Sequence, residues 1–230
     1  MSKPLQRSLQ QIKRSLLSLA TVVEEQCRDA LRSFHHSDEQ LADIVIERDN
    51  EVDLMEVDIE EDCLKILALY QPVAFDLRFV VAVLKINNDL ERIGDLALNI
   101  AERAVALSSK KLPETTTQLE SMGEIVIAMV KRCIDALINR DIELARQILA
   151  MDVKVDDLHR EHFETIKEAI IAYPVHALDF IQLLSISRYL ERIGDQTTNI
   201  AEDVIYLVEG EIVRHRHSET GYNGALGVEI

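Results

Sequence analysis

Leu90-Glu91-Arg92-Ile93-Gly94-Asp95 recurs one hundred residues later as Leu190-Glu191-Arg192-Ile193-Gly194-Asp195. Asn99-Ile100-Ala101-Glu102 returns likewise as Asn199-Ile200-Ala201-Glu202, so ten of fourteen positions agree between residues 90–103 and 190–203. A second echo lies upstream at a spacing of 103. Asp49-x-x-x-Asp53 answers to Asp152-x-x-x-Asp156, and Tyr70 to Tyr173. Self-similarity at a fixed spacing is the mark of a duplicated structural unit.

Outward from these marks the chain reads as helix throughout. Leu5, Leu9, Ile12, Leu16, Leu19, Val23 and Ala30 follow the 3–4 spacing of a helix-bundle seam, with one polar break at Gln26. Ser37 with Gln40 has the form of a capping box opening a second helix, which runs to Tyr70. Pro72 predicts the start of a third helix over about 73–109, and Pro113 the start of a fourth. The fourth ends near Asn139-Arg140, Asp141 caps the fifth, and Pro174 separates it from the sixth, which stops near Gly210. Only seven glycines and four prolines punctuate 230 residues, which suits a few long helices better than many strands and turns. The predicted fold is all-α, a tandem repeat of two antiparallel three-helix bundles. Residues 1–111 form the first bundle, 112–210 the second, and 211–230 a solvated tail that holds His215 and His217.

The net charge of −16 excludes whole classes of partner. Nucleic-acid binding relies on Lys and Arg neutralising phosphates, and anionic lipid attracts basic segments, so both are disfavoured. Residues 1–7 lack the apolar core of a signal peptide, and no stretch reaches the roughly 18 apolar residues of a membrane span. Cys27, Cys63 and Cys133 are odd in number and form no CxxC pair, which predicts buried thiols in a reducing compartment. The expected location is the cytoplasm.

On a helical wheel Glu91, Asp95 and Glu102 fall on one face, as do Glu191, Asp195 and Glu202. Asp49, Asp53, Glu56 and Glu60 share a face of the second helix. Along the third helix Leu77, Val81, Leu84, Asn88, Glu91, Asp95, Leu98 and Glu102 form one 3–4 series, an apolar seam that turns acidic partway. The sixth helix repeats this through Phe180, Leu184, Ser187, Glu191, Asp195, Thr198 and Glu202. Carboxylates gathered in this way repel one another and require a positive partner. One reading is a hard cation, since oxygen ligands suit Mg, Mn, Ca or ferric Fe, and Zn also accepts carboxylates. The other is Arg or a solvated acidic edge. The Glu-x-x-His of ferritin-like di-iron sites is absent; the nearest motif is Asp156-x-x-His159. Gly94 and Gly194, each costing about 1 kcal/mol inside a helix relative to Ala, predict close helix–helix contacts.

The doubled LERIGD…NIAE segment, the upstream Asp-x-x-x-Asp and Asp76-Leu77-Arg78-Phe79-Val80 resemble the PhoU family of phosphate-transport accessory proteins over about residues 5–210. The resemblance implies a homodimer that represses the phosphate-starvation response when phosphate is plentiful. It implies two partners, the ATPase of a phosphate ABC transporter and a sensor histidine kinase. It also implies metal ligation by Asp49, Asp53, Glu91 and Asp95, and by Asp152, Asp156, Glu191 and Asp195. The second set departs from the first through Lys154 in place of Glu51 and His159 in place of Glu56, and is less acidic. With no P-loop, nucleophile elbow, GxGxxG or HExxH, the sequence reads as a regulator and not an enzyme. The alternative is a metal-dependent hydrolase or oxidase, which requires an open coordination site and a substrate pocket.

Overall fold

The structure, a computed structural model, describes residues 3–110 and 117–210. Six long helices account for nearly all of them: α1 (Lys3–His36), α2 (Glu39–Tyr70), α3 (Ala74–Leu107), α4 (Thr117–Asn139), α5 (Ile142–Ala172) and α6 (Ala177–Glu209). A single 3-10 turn, Pro174–His176, leads into α6. There is no strand among the described residues. Pro113, the predicted boundary at 111/112 and the predicted tail at 211–230 fall outside them.

The turns between paired helices show the duplication locally. Ser37 and Arg140 both adopt left-handed backbone, at φ 51° and 54°. The next residue caps the following helix in each half: Asp38 accepts from the Leu41 N–H and Asp141 from the Leu144 N–H, both at 3.0 Å. The first cap therefore differs from the predicted capping box, because Ser37 is taken up by the turn and Asp38 does the capping. Asp141 caps as expected.

Each half packs its own three helices together, α1 with α2 and α3, and α4 with α5 and α6. The halves meet chiefly through α3 and α6, which pack on each other as extensively as neighbours within a half. The core is aliphatic, as a chain with 4% aromatics requires. Ile12, Leu16, Leu19, Ile86, Leu90, Ile93, Leu119 and Met122 are fully buried, with Phe180 the largest side chain among them. All three cysteines are buried free thiols, and burial pushes Cys27 and Cys63 up to about 12.

One helix face needed correction. The predicted seam of α3 through Leu77, Leu84 and Asn88 is the rim of the buried arc. The arc itself runs through Val80, Val83, Asn87, Leu90, Ile93 and Ala97. Packing against α1, α2 and α6 together gives α3 a wide buried face, so an apolar line at its edge mimics a seam. The acidic continuation therefore lies half-buried to exposed along the open side of each bundle.

Two acidic faces built on repeated helix pairs

In the first half, α2 contributes Asp49 and Asp53, and α3 contributes Glu91 and Asp95. The four predicted residues interact. Burial, then repulsion from Asp95, Asp53 and Glu56, pushes the Glu91 carboxyl up to about 7. Asp49 is raised by burial and by Asp53 and Asp95, and Asp95 by burial and by Asp53. The second half repeats this across α5 and α6. Asp152 is pushed up to about 7 by burial, then by Asp156, Asp195 and Glu191. Glu191 and Asp195 are raised too, by burial first.

The glycines of the repeated motif make room for this meeting. A Cβ on Gly94 would stand 3.2 Å from Gln26 Oε1 and Val52 Cγ1 and 3.7 Å from Asp49 Oδ1. A Cβ on Gly194 would stand 2.7 Å from Asp152 Oδ1. Helix contact and clearance for a carboxylate are thus the same feature.

Behind the acids runs a second tier of polar residues, of which sequence reading marked His159 and Glu56 but not Asn87 as site residues. Asn87, fully buried on α3, donates through Nδ2 to Glu56 Oε1 at 3.3 Å and to the Glu56 backbone carbonyl at 2.9 Å. The equivalent pair in the second half is Ser187 and His159, with Oγ and Nδ1 2.6 Å apart. The same two helix positions are linked by different chemistry, and the His159 Nε2 atom stays clear of that bond.

Gln26, the polar break in the α1 seam, is fully buried and donates through Nε2 to Asp49 Oδ1 at 3.2 Å. Counting 103 residues on, in register with the Asp38 and Asp141 caps, the equivalent residue is Met129, also fully buried. Met offers no N–H. Asp152 Oδ1 accordingly has no hydrogen-bond partner, and its carboxyl rises further than that of Asp49, which Gln26 helps hold down.

A further asymmetry is cationic. Arg188 on α6 donates to Glu191 Oε1 at 3.0 Å and lowers both Glu191 and Asp195 against the upward push of burial. The equivalent residue on α3 is Asn88. The weaker acidity of the second face therefore comes from Arg188 and from His159 standing where the first face has Glu56, while the exposed Lys154 is not among the charges acting on it. Arg188 also holds His159 low, after burial.

The donor set is chemically suited to a hard cation: carboxylate oxygens, two of them raised to about 7 by burial and then by mutual repulsion, with Asp152 Oδ1 and Glu191 Oε2 unpartnered. As the side chains lie, however, no group of three or more His, Cys, Asp or Glu among the described residues is gathered closely enough to hold a metal ion.

Fold and site together define a duplicated helical-bundle protein that presents an acidic face on each copy. Comparison with known proteins makes the class particular. The PhoU domain matches residues 16–104 and again 119–204. The phosphate-specific transport system accessory protein PhoU homolog of Aquifex aeolicus is 37% identical over 211 residues, covering 92% of this chain and 96% of that one. The PhoU protein of Escherichia coli K12 is 36% identical, covering 90% and 86%. The crystal structure of PhoU from Pseudomonas aeruginosa superposes with a TM-score of 0.87 at 35% identity, covering 90% of this chain and 99% of that one. The phosphate transport system regulatory protein PhoU from Streptococcus pneumoniae gives 0.81 at 30% identity, covering 91% and 99%. The chain belongs to the PhoU family, and its role lies in the regulation of phosphate uptake.

Proposed function

We propose that this chain is an adaptor that represses the phosphate-starvation response when phosphate is plentiful. It does so by linking the ATPase of a phosphate ABC transporter to a sensor histidine kinase. The observation that carries this reading is the pair of repeat-related acidic faces in a chain whose relatives are named accessory or regulatory proteins of phosphate transport. The same naming disfavours the alternative of a metal-dependent hydrolase or oxidase. The reading places the chain in the cytoplasm as a homodimer. No helix among the described residues is long and apolar enough to cross a membrane. Exposed apolar residues around the α5–α6 turn, Ile171, Val175 and Leu178, offer contact surface to a protein partner.

The acidic faces are proposed to hold Mg, Mn, Fe, Zn or Ca. Asp49, Asp53, Glu91 and Asp95 would ligate at one face, and Asp152, Asp156, Glu191 and Asp195 at the other. The ion would neutralise the repulsion and tie α2 to α3 and α5 to α6. In that role it is structural.

The test is deletion of the gene, with a phosphate-starvation reporter read in high phosphate. A reporter that switches on and is silenced again by the wild-type gene is the expected result; one that stays off removes the signalling role. Complementation with the folded Glu91→Ala/Asp95→Ala/Glu191→Ala/Asp195→Ala variant, alongside elemental analysis of both proteins, shows whether the acids hold metal and whether repression needs it.

A further inference from the structure

The −16 chain gathers positive charge at the end where α1, the start of α3 and the α4–α5 turn converge. A cavity of about 380 Å³ opens there, lined by Gln6, Gln10 and Lys13 of α1, Phe75 and Asp76 of α3, and Arg140 of the turn. The Arg140 guanidinium stacks over the Phe75 ring at 4.9 Å, and Arg78 lies over the same ring at 5.9 Å. Stacking occupies the face of a guanidinium and leaves its in-plane N–H groups to donate. Among the described residues, Lys13, Arg78 and Arg140 form no ion pair, and the buried Arg78 Nε has no hydrogen-bond partner. Arg78 is partly served by the C-terminal end of α6, since a Cβ on Gly210 would stand 3.6 Å from its Cζ. Lys13 and Arg140 share the cavity with the Asp76 carboxylate but form no ion pair with it.

The start of α3 adds to the field. Val73 makes no side-chain cap bond; the Asp76 N–H is taken by the Val73 carbonyl at 3.2 Å, and the positive end of this 34-residue helix lies beside Phe75 and Asp76 of the cavity lining. The backbone of Arg140 does not account for its side chain. Ser37 occupies the same left-handed position in the first half, so the turn itself has no need of an arginine.

We infer that this cavity binds a small phosphate oxyanion, with Lys13, Arg140 and Gln10 donating to it and Asp76 accepting from its P–O–H. Asp76 sets the selectivity. A carboxylate accepts hydrogen bonds and cannot donate them. Phosphate at neutral pH carries a proton to offer it, whereas sulfate carries none and meets Asp76 as a like charge. The inference goes beyond the acidic faces and the adaptor role, because it concerns a different end of the molecule and an anion.

The experiment is calorimetric titration of the purified full-length protein with inorganic phosphate at low ionic strength, with sulfate and chloride in parallel. The expected result is saturable phosphate binding, with sulfate at least about 10-fold weaker and chloride showing none. Lys13→Gln and Arg140→Asn should each weaken phosphate binding about 10-fold or more with unchanged helical circular dichroism; Asn tolerates the left-handed backbone. Asp76→Asn should bring sulfate to parity with phosphate. If Arg140→Asn loses its fold, Lys13→Gln alone decides. No saturation by about 10 mM phosphate overturns the site, as does chloride binding equal to phosphate, or binding that Lys13→Gln leaves untouched. Because the readout is direct binding, it stands or falls separately from the reporter experiment on repression.

Discussion

Asp152 Oδ1 lies 2.7 Å from the place a Cβ on Gly194 would occupy, nearer than real Cβ contacts come. The glycine is thus what lets the carboxylate lie against α6. In Gly194→Ala the flexible carboxylate swings aside at little cost. Helix propensity gains about 1 kcal/mol, so the melting temperature should stay within about 4 °C of wild type. The Asp152 pKa should drop from about 7 as the group moves into water. Gly94→Ala presses instead on Val52 and on the buried Gln26, and should destabilise more. Thermal denaturation of the two variants checks the order, and the reverse order would contradict this account.

Gln26→Met copies into the first half what the second half has at Met129. Asp49 loses its side-chain donor. Its pKa should climb above its wild-type value, as read by carbon-13 carboxyl titration. Met129→Gln should do the opposite for Asp152. If neither carboxylate responds, the difference between the two faces does not originate at this position.

Stability should depend on pH in two opposed ways. Glu91 and Asp152 sit at about 7, raised above the ordinary carboxylate range. A raised acid contributes stability that is fully present below its unfolded pKa and is lost as pH rises through the folded one. His162 is the reverse case. It is fully buried, and burial pushes it down to about 4 against the opposing pull of the Leu183 backbone. Its contribution is present above its ordinary 6.5 and is lost as pH falls toward 4. Lowering pH from about 8 to 6.5 should therefore raise the melting temperature, and the rise should shrink in Asp152→Asn. Further acidification should then turn the curve over. A melting temperature that falls steadily from pH 8 would sink the assignment of raised acids.

Arg188→Asn removes the cation that the second face has and the first lacks. Glu191 and Asp195 should both titrate higher. If that face takes a divalent ion, its Mn²⁺ affinity should increase by about 3- to 10-fold, the scale of one partly exposed charge. Asn88→Arg should weaken the first face by a similar factor. Mn²⁺ titration of the two variants provides the comparison, and equal affinities would show that Arg188 does not govern cation binding.

Much of the architecture was legible in the residues. Repeat spacing, helix-breaking prolines and the 3–4 seams locate six helices to within a few residues, and the acid-xxx-acid pairs mark the faces that α2–α3 and α5–α6 bring together. What escaped depends on packing. Asn87 and Ser187 look like ordinary polar helix residues until α2 and α5 are placed against them. Gln26 did leave a sign, as the single polar residue in an apolar line, but which acid it meets is set by the crossing of α1 over α2. Arg188 was hidden because its reach back to Glu191 depends on a rotamer. Asn88 was placed on a seam it only borders, since a helix covered by three neighbours buries more than one stripe.

Lys85 of α3 donates to Asp203 of α6 at 3.1 Å, and Asp203 is almost fully buried. The pair has no mirror image. One hundred residues after Lys85 stands Ser185, and one hundred before Asp203 stands Arg103. If one first half met another through its third helix in the same way, Lys85 would face Arg103, and like charges would oppose the match. Two second halves would leave the buried Asp203 opposite a serine. Each half is thus keyed to the other and against its own copy. Expressed as separate polypeptides, the two pieces should find each other in preference to themselves.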